Sequence, residues 1–153
     1  MKYLLDTNVF REIGKSEPHR RVSAWLARID DTDLAVNALT VREVIKGVEK
    51  LRRRKPDVAT MIEARLRTIF DALDERILVV DRNVACLWGE LLGASEKHVD
   101  DTGIAATARI HGLVLVARNL TTSQDAASPP STPTNPRRGS CDRSGRRQAS
   151  PTP

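Results

Sequence analysis

Apolar residues in this chain fall into short runs that alternate with stretches of helical period. The first run, Tyr3-Leu4-Leu5, stops at Asp6. Thr7 and Asn8 follow as good helix N-cap residues, and Asn8 to about Gly14 reads as a short helix ended by the glycine. Pro18 opens a second helix, with Val22, Trp25, Leu26 and Ile29 at helical spacing. After the polar turn Asp30-Asp31-Thr32-Asp33, the run Leu34-Ala35-Val36-Asn37-Ala38 predicts a second strand. Thr40 opens a third helix with Val41, Val44, Ile45, Val48 and Leu51 on one face. It runs into Arg52-Arg53-Arg54-Lys55. Pro56 restarts the pattern, which continues through Val58, Ile62, Leu66, Ile69 and Leu73, and the two segments predict an antiparallel helical hairpin. Ile77 to Val80 predicts a third strand, continuous and apolar as strands buried on both faces are. Asp81 to about Ser95 is helical, with Val84, Leu87, Trp88, Leu91 and Leu92 inward. Asp101 opens a last helix, rich in alanine and closed by Gly112. Leu113 to Val116 is the fourth strand. Strands that alternate with helices predict a parallel sheet and the α/β class.

Composition changes the picture at the C-terminal end. Residues 120–153 contain one large aliphatic residue, Leu120, no aromatic residue, and much Ser, Thr, Pro and Arg. Such a segment cannot bury enough surface to offset its ordering entropy, so disorder is expected from about Thr121. The division is a domain over 1–119 and a tail over 120–153. The tail carries a net +3 of the chain's +5, which leaves the domain only mildly basic. An acidic pocket on a basic domain would suit a polyanionic substrate. Aromatic content is only 3%, so the core must be aliphatic. No apolar run approaches the roughly 20 residues that span a bilayer. The start lacks the apolar region of a signal peptide. Cys86 and Cys141 form neither a disulfide framework nor a zinc pattern. The expected location is the cytoplasm, with no membrane partner.

Three acids occupy corresponding places. Asp6 follows the first strand. Glu43 lies in the first turn of the helix after the second strand. Asp101 starts the helix before the fourth. In a parallel sheet, strand ends and helix starts share one rim, where ligands of open α/β sheets bind. Each acid also has a plain structural role open to it. Asp6 has even odds of being a cap. Thr40-Val41-Arg42-Glu43 has capping-box spacing. The helix dipole offers Asp101 a structural role, and Asp100 competes with it for any role, although neighbours in sequence should point apart. Jointly, three carboxylates on one rim repel, and a hard divalent cation would hold them. That chemistry points to metal-assisted phosphodiester hydrolysis. The basic run Arg52 to Lys55 is more readily a solvated helix end than a nucleic-acid contact.

Leu4-Leu5-Asp6-Thr7-Asn8-Val9, Thr40-Val41-Arg42-Glu43-Val44-Ile45-Lys46-Gly47, Asp101-Thr102-Gly103-Ile104-Ala105-Ala106-Thr107-Ala108 and Leu115-Val116-Ala117-Arg118-Asn119 stand in the order and spacing of one family. Over residues 1–119 the sequence resembles a PIN-domain ribonuclease of the VapC toxin type. The resemblance implies a three-layer α/β/α fold with a central parallel sheet of four strands, the family's last edge strand being absent. It implies Mg2+-dependent (or Mn2+-dependent) endonucleolytic cleavage of RNA, leaving a 5′-phosphate and a 3′-hydroxyl. Partners implied are an RNA substrate, a VapB-like antitoxin and a second copy in a homodimer. Asp6, Glu43 and Asp101 match the family's metal-coordinating catalytic acids, and Asn119 matches a polar pocket position. Thr7 and Asn8 are expected to orient Asp6, and Lys46 or Arg118 to contact RNA. One departure stands out: where the family often has a fourth acid, this chain has Thr122, followed by Ser123. That departure favours the alternative reading, a PIN-like module that binds antitoxin or RNA without cleaving. A phospho-acceptor receiver domain fails for want of a paired acid after the first strand and a lysine after the last. An Asp-x-Asp phosphatase fails at Asn8.

Overall fold

Strand β1 (Tyr3–Leu5) is central because its two inward residues face opposite ways and are both buried. A computed structural model of the chain describes residues 1–13, 15–94 and 98–117. Gly14, Ser95, Arg118, Asn119 and the expected tail lie outside the described residues. β2 (Leu34–Asn37), β3 (Ile77–Leu78) and β4 (Val114–Val116) complete a parallel sheet in the order β3-β2-β1-β4. In register, Tyr3 faces Leu34 on one side and Val114 on the other. Helices α1 (Thr7–Ile13), α2 (Arg20–Leu26), α3 (Ala38–Arg52) and α4 (Pro56–Leu73) contribute to the core on one face. There Leu5, Val36 and Val116 from the sheet meet Val9, Phe10, Val44, Val48 and Leu66. On the other face, Leu4 and Ala35 meet Ile104 and Ala108 of α6 (Val99–His111). α5 (Arg82–Ala94) packs on α6. The result is the expected three-layer α/β/α arrangement.

Alternation along β1 and β2 sorts the two cores: Leu4 and Ala35 to the α6 side, Leu5, Leu34 and Val36 to the other. Burying a leucine of this kind is worth roughly 1.5–3 kcal/mol. The few aromatic residues pair on the crowded face. Tyr3 meets Trp25 edge-on at 5.3 Å, and Phe10 stacks on Phe70 at 5.9 Å. Among the described residues, no helix is long and apolar enough to cross a membrane.

The structure corrects several boundaries. β3 has two residues rather than four, because β2 ends at Asn37 and leaves Val79 and Val80 no strand to pair with. It is an edge strand, and Val79 is 65% exposed. α2 begins at Arg20 rather than Pro18. The amide of His19 before it donates to Glu12 Oε2 at 2.8 Å, and that buried carboxylate also accepts from Lys15. α3 begins at Ala38, because Asn37 Oδ1 accepts from the Leu39 amide and caps the helix. α6 begins at Val99, after His98 in a left-handed conformation, and ends as expected at Gly112, whose φ of 65° suits a residue without Cβ. Asp81 caps α5 through the Val84 amide, which gives that acid a structural role.

Asn37 also binds the two layers together. Its Nδ2 donates to Thr107 Oγ1 of α6 at 2.6 Å, and both residues are fully buried. Asn37→Ala removes a cap and a buried hydrogen bond. Urea unfolding is expected to show a loss of about 2 kcal/mol. A variant as stable as the parent would show that neither bond contributes.

Candidate active site at the helix starts

The rim where β1 and β2 end carries the starts of α1 and α3, and the start of α6 lies beside α3. Asp6 is the residue between β1 and α1. Its amide donates to Val116 O at 3.0 Å, and its carbonyl accepts from Val9 and Phe10. The side chain is not a cap: Oδ2 accepts from Asn8 Nδ2 at 3.3 Å. Thr7 is buried, and its hydroxyl has no hydrogen-bond partner among the described residues.

Glu43 lies beyond the first turn of α3, since the helix starts at Ala38. The capping-box alternative therefore falls, with Asn37 holding the cap position that Thr40 would have needed. Glu43 Oε1 instead faces Arg11 Nη2 of α1 at 3.4 Å, a long and half-exposed ion pair. Lys46, one turn further along α3, is exposed. Asp101 stands in the first turn of α6, 70% exposed, with His98 Nδ1 at 3.5 Å.

Glu43, His98, Val99, Asp100 and Asp101 line an open cleft of about 260 Å³. The structure thus brings two of the three sequence-derived acids to one cleft, and Asp6 is not among its lining residues. Both neighbours Asp100 and Asp101 line it, contrary to the expectation that they point apart. Asp100 is paired with Arg42 of α3. Arg118 and Asn119 lie outside the described residues.

The three acids offer only oxygen donors, the kind that Mg2+ and Mn2+ take. As placed, they do not make a ready cage: no three His, Cys, Asp or Glu side chains among the described residues lie close enough to hold a metal ion. Mg2+ does not require one, since it commonly binds one or two carboxylates and keeps several waters. The donor chemistry fits such an ion, while the assembly of all three acids around it is not present.

Sequence reasoning missed Arg11, Arg42 and His98. His98 had a signal, its i,i+3 spacing to Asp101. The arginines had none, because each pairs with an acid on another helix. At the basic run, Arg52 is engaged with Glu63 and Glu49, whose hydrogen bonds raise its pKa, Glu63 foremost. Arg53, Arg54 and Lys55 are exposed at the tip of the α3–α4 hairpin.

Residues 3–122 match the PIN domain family. The chain is 34% identical to Toxin FitB of Neisseria gonorrhoeae over 122 residues, covering 76% of this chain and 86% of that protein. It is 32% identical to the VapC ribonuclease Y4jK of Sinorhizobium fredii, covering 76% and 86%. Among solved structures it resembles FitAcB from Neisseria gonorrhoeae, with a TM-score of 0.68 at 32% identity over 76% of this chain and 87% of that one.

Proposed function

We propose, from the premise that the chain belongs to the PIN-domain family of VapC-type toxin ribonucleases, that it is a divalent-metal-dependent endoribonuclease neutralised by a small VapB-like antitoxin. The observation that carries this reading is the cleft at the starts of α3 and α6, with Glu43 and Asp101 both in its wall. Relatives named as a toxin and as a VapC ribonuclease support the class of reaction.

In this reading Asp6, Glu43 and Asp101 are the catalytic acids and would hold Mg2+, or Mn2+ in its place, through direct or water-bridged contacts. Such an ion, when bound, supplies a water of lowered pKa and neutralises phosphate charge. The chain's own residues do the rest. Asn8 donates to Asp6 and restrains its carboxylate. Arg11 offsets the charge of Glu43, so that the acids tolerate one another near a single substrate phosphate. Lys46 or Arg118 contacts the RNA backbone, adding affinity without reading sequence. The working form is a homodimer.

The test is cleavage of a defined structured RNA by the full chain. With Mg2+ present, cleavage is expected; with EDTA in excess it should stop, and fresh Mg2+ should restore it. Cleavage that persists in EDTA would remove the metal from the mechanism. Thr122, where the family resemblance implies a fourth acid, supports a second reading: a module that captures antitoxin without cutting RNA. Induction without antitoxin separates the two, because only the nuclease arrests growth.

A further inference from the structure

We infer that the Arg42–Asp100 ion pair is a positioning clasp that sets the separation of Glu43 and Asp101 across the cleft. The inference rests on the ribonuclease reading above. Arg42 and Glu43 are consecutive on α3, and Asp100 and Asp101 are consecutive on α6. Arg42 Nη2 donates to Asp100 Oδ2. Among the described residues this is the only ion pair between α3 and α6.

Deeper in the protein the two helices are tied by other means. Asn37 bonds Thr107, and Leu39 lies against Gly103. Those contacts fix the body of α6 and do not reach its first turn. That turn follows the left-handed His98, and its described bond to a neighbouring helix, Trp88 Nε1 to Val99 O at 2.9 Å, leads to α5. Without Arg42, nothing described ties Asp101 to the α3 side of the cleft. The acids cannot hold their own spacing. Among the described residues, Glu43 has only the long ion pair to Arg11, and Asp101 only the one to His98. Like charges across a cleft also repel, and the Arg42–Asp100 pair, one residue from each acid, opposes that separation. Of the paired neighbours in α6, Asp100 is engaged by the arginine and Asp101 stays available to substrate.

The pair is exposed, 54% for Arg42 and 37% for Asp100, so its effect is modest. The experiment is a double-mutant cycle with R42Q, D100N and the double variant in the full chain. It reads kcat and KM on RNA with Mg2+, and Mn2+ affinity by electron paramagnetic resonance. Each single variant is expected to lower kcat by about three- to fivefold and to move KM by less than about twofold. Mn2+ affinity should fall in step, and the double variant should fall no further than either single one. Additive losses would overturn the clasp. A rise in KM alone for R42Q would make Arg42 an RNA contact instead. A drop in Mn2+ affinity for D100N alone would make Asp100 a ligand instead. If the parent binds Mn2+ without cutting RNA, the ribonuclease reading fails and the Mn2+ cycle still decides the clasp. A parent that does neither overturns both.

Discussion

Asp6→Asn is expected to lower Mg2+-dependent RNA cleavage by at least about a hundredfold while the chain stays folded. The substitution keeps the shape of the side chain and removes its charge. The backbone bonds that hold the position, from the Asp6 amide to Val116 O and from Val9 and Phe10 to its carbonyl, do not involve the carboxylate. Its described partner is Asn8, at 3.3 Å. Stability therefore has little to lose, and a single-turnover assay beside a thermal melt separates chemistry from folding. Asp101→Asn is the companion, because the one ion-pair partner of that exposed acid among the described residues is His98. An Asp6→Asn protein that cuts RNA as fast as the parent would show that the site is wrongly assigned. Equal loss in the two variants, with unchanged melting, would show that Asp6 works with the cleft although it does not line it.

Gly103→Val is expected to destabilise the fold by about 3 kcal/mol, at the upper end for overpacking a core. A Cβ on Gly103 would stand 2.5 Å from Leu39 Cδ1 and 2.8 Å from Trp88 Cε2. The leucine methyl can rotate away. The indole is rigid, and its Nε1 is committed to Val99 O. Alanine would recover about 1 kcal/mol of helix propensity, but a branched side chain adds bulk where the ring cannot move. Thermal unfolding should show a fall of roughly 10 °C. Displacing Trp88 also frees Val99, which lines the cleft, so surviving folded protein should cleave RNA more slowly. An unchanged melt would mean that α5 and α6 do not close on this glycine.

The alternation of strand and helix is legible because each parallel strand reads as a short apolar run and each covering helix as a 3.6-residue pattern. The length of β3 is not legible. Val79 and Val80 are as apolar as Ile77 and Leu78, and only pairing shows that β2 has already turned into α3. The α3 start misleads for a related reason. Thr40 and Glu43 have capping-box spacing, while the true cap, Asn37, is hidden at the end of an apolar run. Glu43 and Asp101 can be read as acids near helix starts, since the alternation alone places those starts beside strand ends. Their cationic partners cannot. Arg11 meets Glu43 across 32 residues and Arg42 meets Asp100 across 58, and those encounters depend on how the helices are rotated on the sheet. Adjacent acids were expected to diverge, yet Asp100 and Asp101 share a wall, because the cleft runs along the first turn of α6.

The sheet order has a consequence for biosynthesis. β1, the first of the four described strands in chain order, finds one neighbour early in β2, but its other neighbour is β4, the last described strand. Closing such a long-range pair is slow, and the open edge of β1 must wait for it. The Asp6 amide waits as well, since its acceptor is Val116 O. A nascent chain halted before β4 therefore has Asp6, Glu43 and Asp101 but no completed rim, and the proposed nuclease assembles only once β4 can pair with β1.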